Sequence, residues 1–141
     1  MATSYESVYS RFLGSITDYE LAYLPDEDME SMVHDWMLRA ITEFYNCQAD
    51  LGDRDDEIRC FNVDLSDWEI DVLSKFMVSA WLENQIASIT LTKQFFGGKE
   101  EKWFSQSSHL STLIALRDSI RTEARKMSRD RSYVKNSYFD K

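Results

Sequence analysis

Apolar residues recur at helical spacing through most of this chain. From residue 26 onward, Met29, Met32, Val33, Trp36, Met37, Ala40, Ile41 and Phe44 alternate in steps of three and four without a gap. That spacing predicts an amphipathic helix over 26–46 with one buried face. Asp26, Glu27 and Asp28 supply the negative first turn that a helix dipole favours. The densest apolar stretch is 65–96, LSDWEIDVLSKFMVSAWLENQIASITLTKQFF. Ile70, Leu73, Phe76, Met77, Ala80, Trp81 and Asn84 step along one stripe, and Val72, Val78, Leu82, Ile86 and Ile89 lie on its flanks. A surface apolar on more than one side predicts a helix touched by several neighbours, at the centre of its domain. Ser66 and Glu69 have the spacing of a capping box, with Leu65 and Ile70 placed as a hydrophobic staple. Gly97-Gly98 stops the helix after roughly 45 Å, at about 1.5 Å per residue. Asp71, Lys75, Glu83 and Lys93 make it too polar for a membrane span.

The shorter elements are punctuated by caps. Thr3-Ser4-Tyr5-Glu6 reads as a capping box before a short helix with Tyr5, Val8, Tyr9, Phe12 and Leu13 on its apolar side, closed by Gly14. Thr17 and Glu20 repeat the signature for a turn or two, until Pro25 biases Leu24 out of helical conformation. Periodicity disappears over 46–64, NCQADLGDRDDEIRCFNVD, an acidic loop in which Phe61 and Val63 suit an extended segment. After Lys99-Glu100-Glu101-Lys102-Trp103-Phe104, a charged link, a last helix is expected from 105–108 to about Arg129. Its packing stripe is Leu110, Leu113, Ile114, Leu116, Ile120, Ala124 and Met127, and Arg117, Arg121 and Arg125 form a basic ridge beside it. The expectation is an all-α fold: an irregular bundle of about five helices around a long central helix (65–96), forming one domain over 1–129. Residues 130–141 are expected to be an extended C-terminal docking tail with nothing local to bury against.

Composition sharpens this picture. With 43% hydrophobic and 13% aromatic residues in 141, the chain has enough apolar material for a core. One Pro and four Gly are too few for a turn-rich sandwich or barrel. MATSYESVYS lacks a basic then apolar leader pattern, so the protein is expected in the cytosol unless it joins an assembly. Cys47 and Cys60 share no CxxC spacing; a disulfide and two free thiols both stay open, the free thiols favoured. Charge is unevenly distributed. Residues 1–116 carry 8 Lys/Arg against 21 Asp/Glu, a balance of −13, whereas 117–141 carry 8 against 4, a balance of +4. An acidic body repels nucleic-acid phosphates.

Little in the sequence points to catalysis. His34 and His109 lie far apart and suit surface or capping positions, and no zinc pattern can be written with two His and two Cys. Asp53, Asp55 and Glu57 have calcium-loop spacing, but the turn glycine is missing and position twelve is Asp64. Gly97-Gly98 has no phosphate-loop context, and no Glu-x-x-His pair suggests a di-iron site. No cofactor or metal is expected, and the chain is not expected to be an enzyme. What a small bundle does not easily hide is aromatic: Trp68, Trp81, Trp103, Tyr133, Tyr138 and Phe139. Trp36 and Trp81 are assigned to the core. Trp103, Phe104 and the tail aromatics suit subunit contacts, or they pack back on their own domain. An acidic body with a basic aromatic tail also suits head-to-tail association, which closes into rings.

The run IDVLSKFMVSAWLENQI, with Ala80-Trp81-Leu82-Glu83-Asn84 at its end, resembles the central-helix signature of the head–tail connector proteins of long-tailed bacteriophages, also called adaptor or head-completion (neck) proteins. The resemblance covers about residues 5–96 in element order; the longer last helix and the GGKEEKWF link depart from the smallest members of that family. It implies a structural virion protein of the neck, assembled in the host cytoplasm with no membrane involved. Such a protein forms an oligomeric ring, typically a dodecamer, between the portal protein and the next neck or tail-completion protein, with DNA only passing through the lumen. The candidate portal or subunit interface is then Trp103, Phe104, Arg117, Arg121, Arg125, Arg131, Tyr133, Lys135, Tyr138 and Phe139. The alternative is a soluble helical regulatory protein that binds a partner protein as a dimer. A DNA-binding module using the Arg117–Arg121–Arg125 ridge is a further reading.

Overall fold

The computed structural model describes residues 2–16, 26–44, 47, 49–96 and 100–134, of which 26, 91–96, 100–108 and 130–134 are described by their backbone alone. The molecule is mostly helical. Among the described residues the order is β1 (Thr3–Ser4), α1 (Tyr5–Leu13), α2 (Asp26–Glu43), β2 (Arg54–Asp55), β3 (Cys60–Phe61), α3 (Asp67–Phe96) and α4 (Glu100–Val134). The expected short helix over 17–24 lies outside the described residues.

The 30-residue α3 packs against α1, α2 and α4. Its N-terminal half shows why its apolar surface is so wide. Val72, Leu73, Met77 and Leu82 are fully buried, and Ser74, Phe76, Val78, Ser79 and Ala80 nearly so. A helix closed in on this many sides cannot be amphipathic. By contrast α1 and α2 bury single faces: Tyr5, Val8, Tyr9 and Phe12 from one, and Val33, Trp36, Met37 and Ala40 from the other, with Phe44 just beyond its end. Ring contacts knit the layers together. Phe12 lies 5.6 Å from Trp36, and Phe44 stands 6.0 Å from Phe76 and 6.2 Å from Trp68. Trp68 and Trp81 are half-buried against this core, so Trp68 belongs to it.

Three features depart from the sequence-based expectations. The first is a small antiparallel sheet in the order β1-β3-β2, pairing Thr3 with Phe61 and Arg54 with Phe61 on its other side. Strands of two residues carry no periodicity, so only the extended character of Phe61 was legible. The second is the cap of α1. Ser4, not Thr3, is the N-cap, and its hydroxyl accepts from the Ser7 backbone N–H. Thr3 is engaged elsewhere: its N–H donates to the Val63 carbonyl at 3.2 Å and its hydroxyl accepts from the Leu65 N–H at 2.9 Å. The third is α4, which runs 35 residues from Glu100 to Val134. Residues 100–104 of the charged link and 130–134 of the supposed tail are therefore helical. Glu, Lys and Arg are good helix formers, so loss of an apolar stripe does not end a helix. Within α4, Ala124 is fully buried, and Leu113, Ile120 and Met127 pack half-buried on the core. Leu116 is 45% exposed and does not belong to the packing stripe.

Candidate functional site

Polar side chains converge where α1, α2 and the turn between β2 and β3 meet. Tyr5 and Tyr9 come one turn apart from α1, Glu30 and His34 from α2, and Asp56 and Arg59 from the turn. The buried Tyr5 hydroxyl donates to Asp56 Oδ1 at 2.6 Å. Tyr9 Oη lies 3.0 Å from His34 Nδ1, and His34 Nε2 lies 4.0 Å from Asp56 Oδ1. Arg59 pairs with Glu30, and Arg54 Nε is 3.7 Å from Asp56. Tyr9, Glu30, His34, Asp56 and Arg59, together with Glu27 and Ser31, line a cavity of about 300 Å³. Arg59 is held at φ 56°, the left-handed region that a non-glycine residue adopts only when its surroundings demand it. Here the demand is visible, since its carbonyl accepts the Tyr5 N–H at 2.9 Å.

The chemistry of this cluster is that of a clasp. Burial, then the Asp56 bond and charge, push the Tyr5 hydroxyl pKa well above its ordinary value. Burial first, then the Glu30 charge, push Tyr9 up to about 12. Both phenols stay protonated near neutrality, so neither offers a phenolate base. Asp56, Glu30 and His34 each already face a partner from another element. The cluster fastens the N-terminal helix to α2 and the loop.

A second polar node sits at the start of α3. Ser66 and Glu69 form the capping box that their spacing predicts: Ser66 N–H donates to Glu69 Oε1 at 3.0 Å, and Glu69 N–H to Ser66 Oγ at 3.2 Å. The other Glu69 oxygen accepts from Cys47 Sγ at 3.1 Å and from the Ala49 N–H at 3.2 Å, which pins the loop after α2. Burial alone raises the Glu69 pKa, but the hydrogen bonds from Ser66, Cys47 and Ala49 outweigh it and hold the carboxylate below its ordinary value. Burial, followed by the Glu69 bond and charge, pushes the Cys47 thiol up to about 12. Cys47 and Cys60 are both free thiols.

Two arginines of the α4 ridge pair with carboxylates of other helices. Arg121 pairs with Glu83 of α3, which Arg39 of α2 also approaches at 3.8 Å. Arg125 reaches Glu43 at the end of α2 at 3.3 Å, and Arg117 reaches its neighbour Asp118 at 3.1 Å. Arg121 and Arg125 thus tie α4 to α3 and α2 beside a groove that Phe76 also lines. Of the remaining interface candidates, Trp103, Phe104, Arg131 and Tyr133 fall on α4 where the backbone alone is described, and Lys135, Tyr138 and Phe139 lie outside the described residues. His109 is exposed, well inside α4 rather than near its start.

The acidic loop is more ordered by its own bonds than a solvated run would be. Asp53 Oδ1 accepts from Asn62 Nδ2 at 2.9 Å, and Asp55 Oδ1 from the Glu57 N–H at 2.9 Å. Its carboxylates serve turns and the clasp. Among the described residues no group of three or more His, Cys, Asp or Glu is placed to hold a metal ion, and no helix is long and apolar enough to cross a membrane. Fold and polar clusters together define a mostly helical protein tied by interhelical ion pairs. Comparison with protein-family models, curated proteins and solved structures returned no match.

Proposed function

We propose that this protein is a head–tail connector subunit of a long-tailed bacteriophage: a structural protein that forms a ring between the portal and the next neck or tail-completion protein. The observation that carries the reading is the run IDVLSKFMVSAWLENQI, ending in Ala80-Trp81-Leu82-Glu83-Asn84, on a long helix inside a mostly helical molecule. The reading takes α3 as the axis of a bundle of about five helices, the fifth being the short element expected over 17–24. Its mechanism is geometric. Helical bodies form the wall of a ring of about twelve copies, C-terminal segments engage the portal, and the acidic body lets DNA slide through the lumen without sticking because like charges repel. The subunit uses no cofactor and carries out no reaction of its own.

Two facts fit this role. The first is the charge division between residues 1–116 at −13 and residues 117–141 at +4. The second is the pairing of Arg121 and Arg125 with Glu83 and Glu43, which offsets part of the positive charge of the ridge. The deciding experiment is the native mass of the purified full chain, alone and mixed with a candidate portal protein. Ring formation with the portal supports the reading. A stable dimer indifferent to the portal overturns it and favours a helical regulatory protein.

A further inference from the structure

The surface between α2 and α4 differs from the rest of this acidic protein. Two adjoining cavities, of about 210 and 550 Å³, share Thr42, Glu43 and Phe76 and form one groove along α4. Arg39, Arg121, Arg125 and Arg129 line it against only two carboxylates, Glu43 and Glu83. A groove with two positive charges in excess, on a chain of net charge −9, is a local reversal of sign. The internal ion pairs do not exhaust its donors. The bonds of Arg121 to Glu83 and of Arg125 to Glu43 each engage Nη2 alone, while a guanidinium carries five N–H donors. Arg129 is exposed and makes no ion pair among the described residues.

Spacing selects the ligand further. Arg121, Arg125 and Arg129 stand four residues apart on one helix, about 6 Å from one to the next. In an extended peptide, alternate side chains on one face are about 6.6 Å apart. Carboxylates at every second position of an extended segment therefore fall in register with the arginine row. Thr42 and Phe76 also line the groove. We propose that this groove is a docking site for an extended acidic segment of another protein, with Asp or Glu at alternate positions. This inference does not depend on the connector reading.

The test is fluorescence anisotropy of the full-length protein with a labelled Glu-Phe-Glu-Phe-Glu peptide, alongside its Gln-Phe-Gln-Phe-Gln counterpart. Arg129→Glu probes the groove without breaking an internal pair. Lys126→Glu makes the same change of charge at an exposed neighbouring position on α4 that does not line the groove. The expected result is binding of the Glu peptide that weakens with salt, falls about tenfold or more in Arg129→Glu and changes less than about threefold in Lys126→Glu. Absence of binding, equal binding of the Gln peptide, or equal losses in both variants overturns the proposal. So does single-stranded DNA binding that depends on Arg129 when the Glu peptide does not bind, because the ligand class is then nucleic acid. Self-association abolished by Arg129→Glu, with no peptide binding, overturns it in favour of a second copy of this chain.

Discussion

Glu69 joins the start of α3 to the loop after α2 through one side chain, and its protonation state is therefore a stability term. Because its pKa is depressed in the folded protein, the contribution is fully present above the unfolded carboxylate value of about 4.3. It is lost as pH falls from there through the lower folded value. Glu69→Gln is expected to cost about 1–2 kcal/mol at pH 7, the scale of a lost helix cap and its partner bonds. The gap to the parent should narrow as pH drops below about 4. Urea unfolding of both proteins at several pH values checks this; a gap independent of pH would show that the charge is not involved. Cys47 gives a second residue-scale test. With its pKa near 12, its thiolate is scarce at pH 8, and labelling of a Cys60→Ser protein should run at least about 100-fold slower than that of a free cysteine. A rate equal to free cysteine would mean that the Glu69 contact does not form in solution. The Ser66–Glu69 half of this node was legible as a four-residue spacing. The Cys47 and Ala49 half was not, because nothing local relates residues 20 positions apart.

At the scale of elements, helix ends and helix faces follow different physics. The start of α3 matches its sequence signals because capping is a local competition for backbone N–H groups. The ends of α4 do not, because its limits are set by helix propensity in charged segments. Its facing was also only partly legible: Ala124 is fully buried, while Leu116 is 45% exposed. Ala124→Leu is accordingly expected to destabilise by about 1–3 kcal/mol through overpacking. Leu116→Gln should stay within about 0.5 kcal/mol of the parent. Thermal or urea unfolding of the two variants checks the register, and the reverse ranking would place α4 on α3 by another face. The clasp between α1 and the β2–β3 turn makes a parallel prediction. Tyr5→Phe leaves Asp56 without its buried donor, at an expected cost of about 1–2 kcal/mol. If Tyr5→Phe unfolds at the same urea concentration as the parent, the Tyr5–Asp56 bond contributes nothing.

At the scale of the whole molecule, the helix α4 extends to Val134, so a deletion that spares the fold begins after it. Removal of 135–141 is expected to leave the helical circular dichroism signal and unfolding midpoint unchanged and, on the connector reading, to abolish incorporation into particles. Neck-bearing heads assembled from the truncated protein would reject a docking role for those residues. Helical content, the buried faces of α1 and α2, the wide burial of α3 and the acidic body were determined by the sequence alone. Each is encoded by neighbours within one or two helical turns, or by a simple sum of charges. The tertiary structure decided the sheet that joins Thr3 to Phe61, the Tyr–His–Asp clasp, the second role of Glu69 and the pairing of Arg121 and Arg125 with Glu83 and Glu43. These contacts unite residues between 20 and 82 positions apart, and their partners are chosen by how helices pack, which no local pattern of polar and apolar residues specifies.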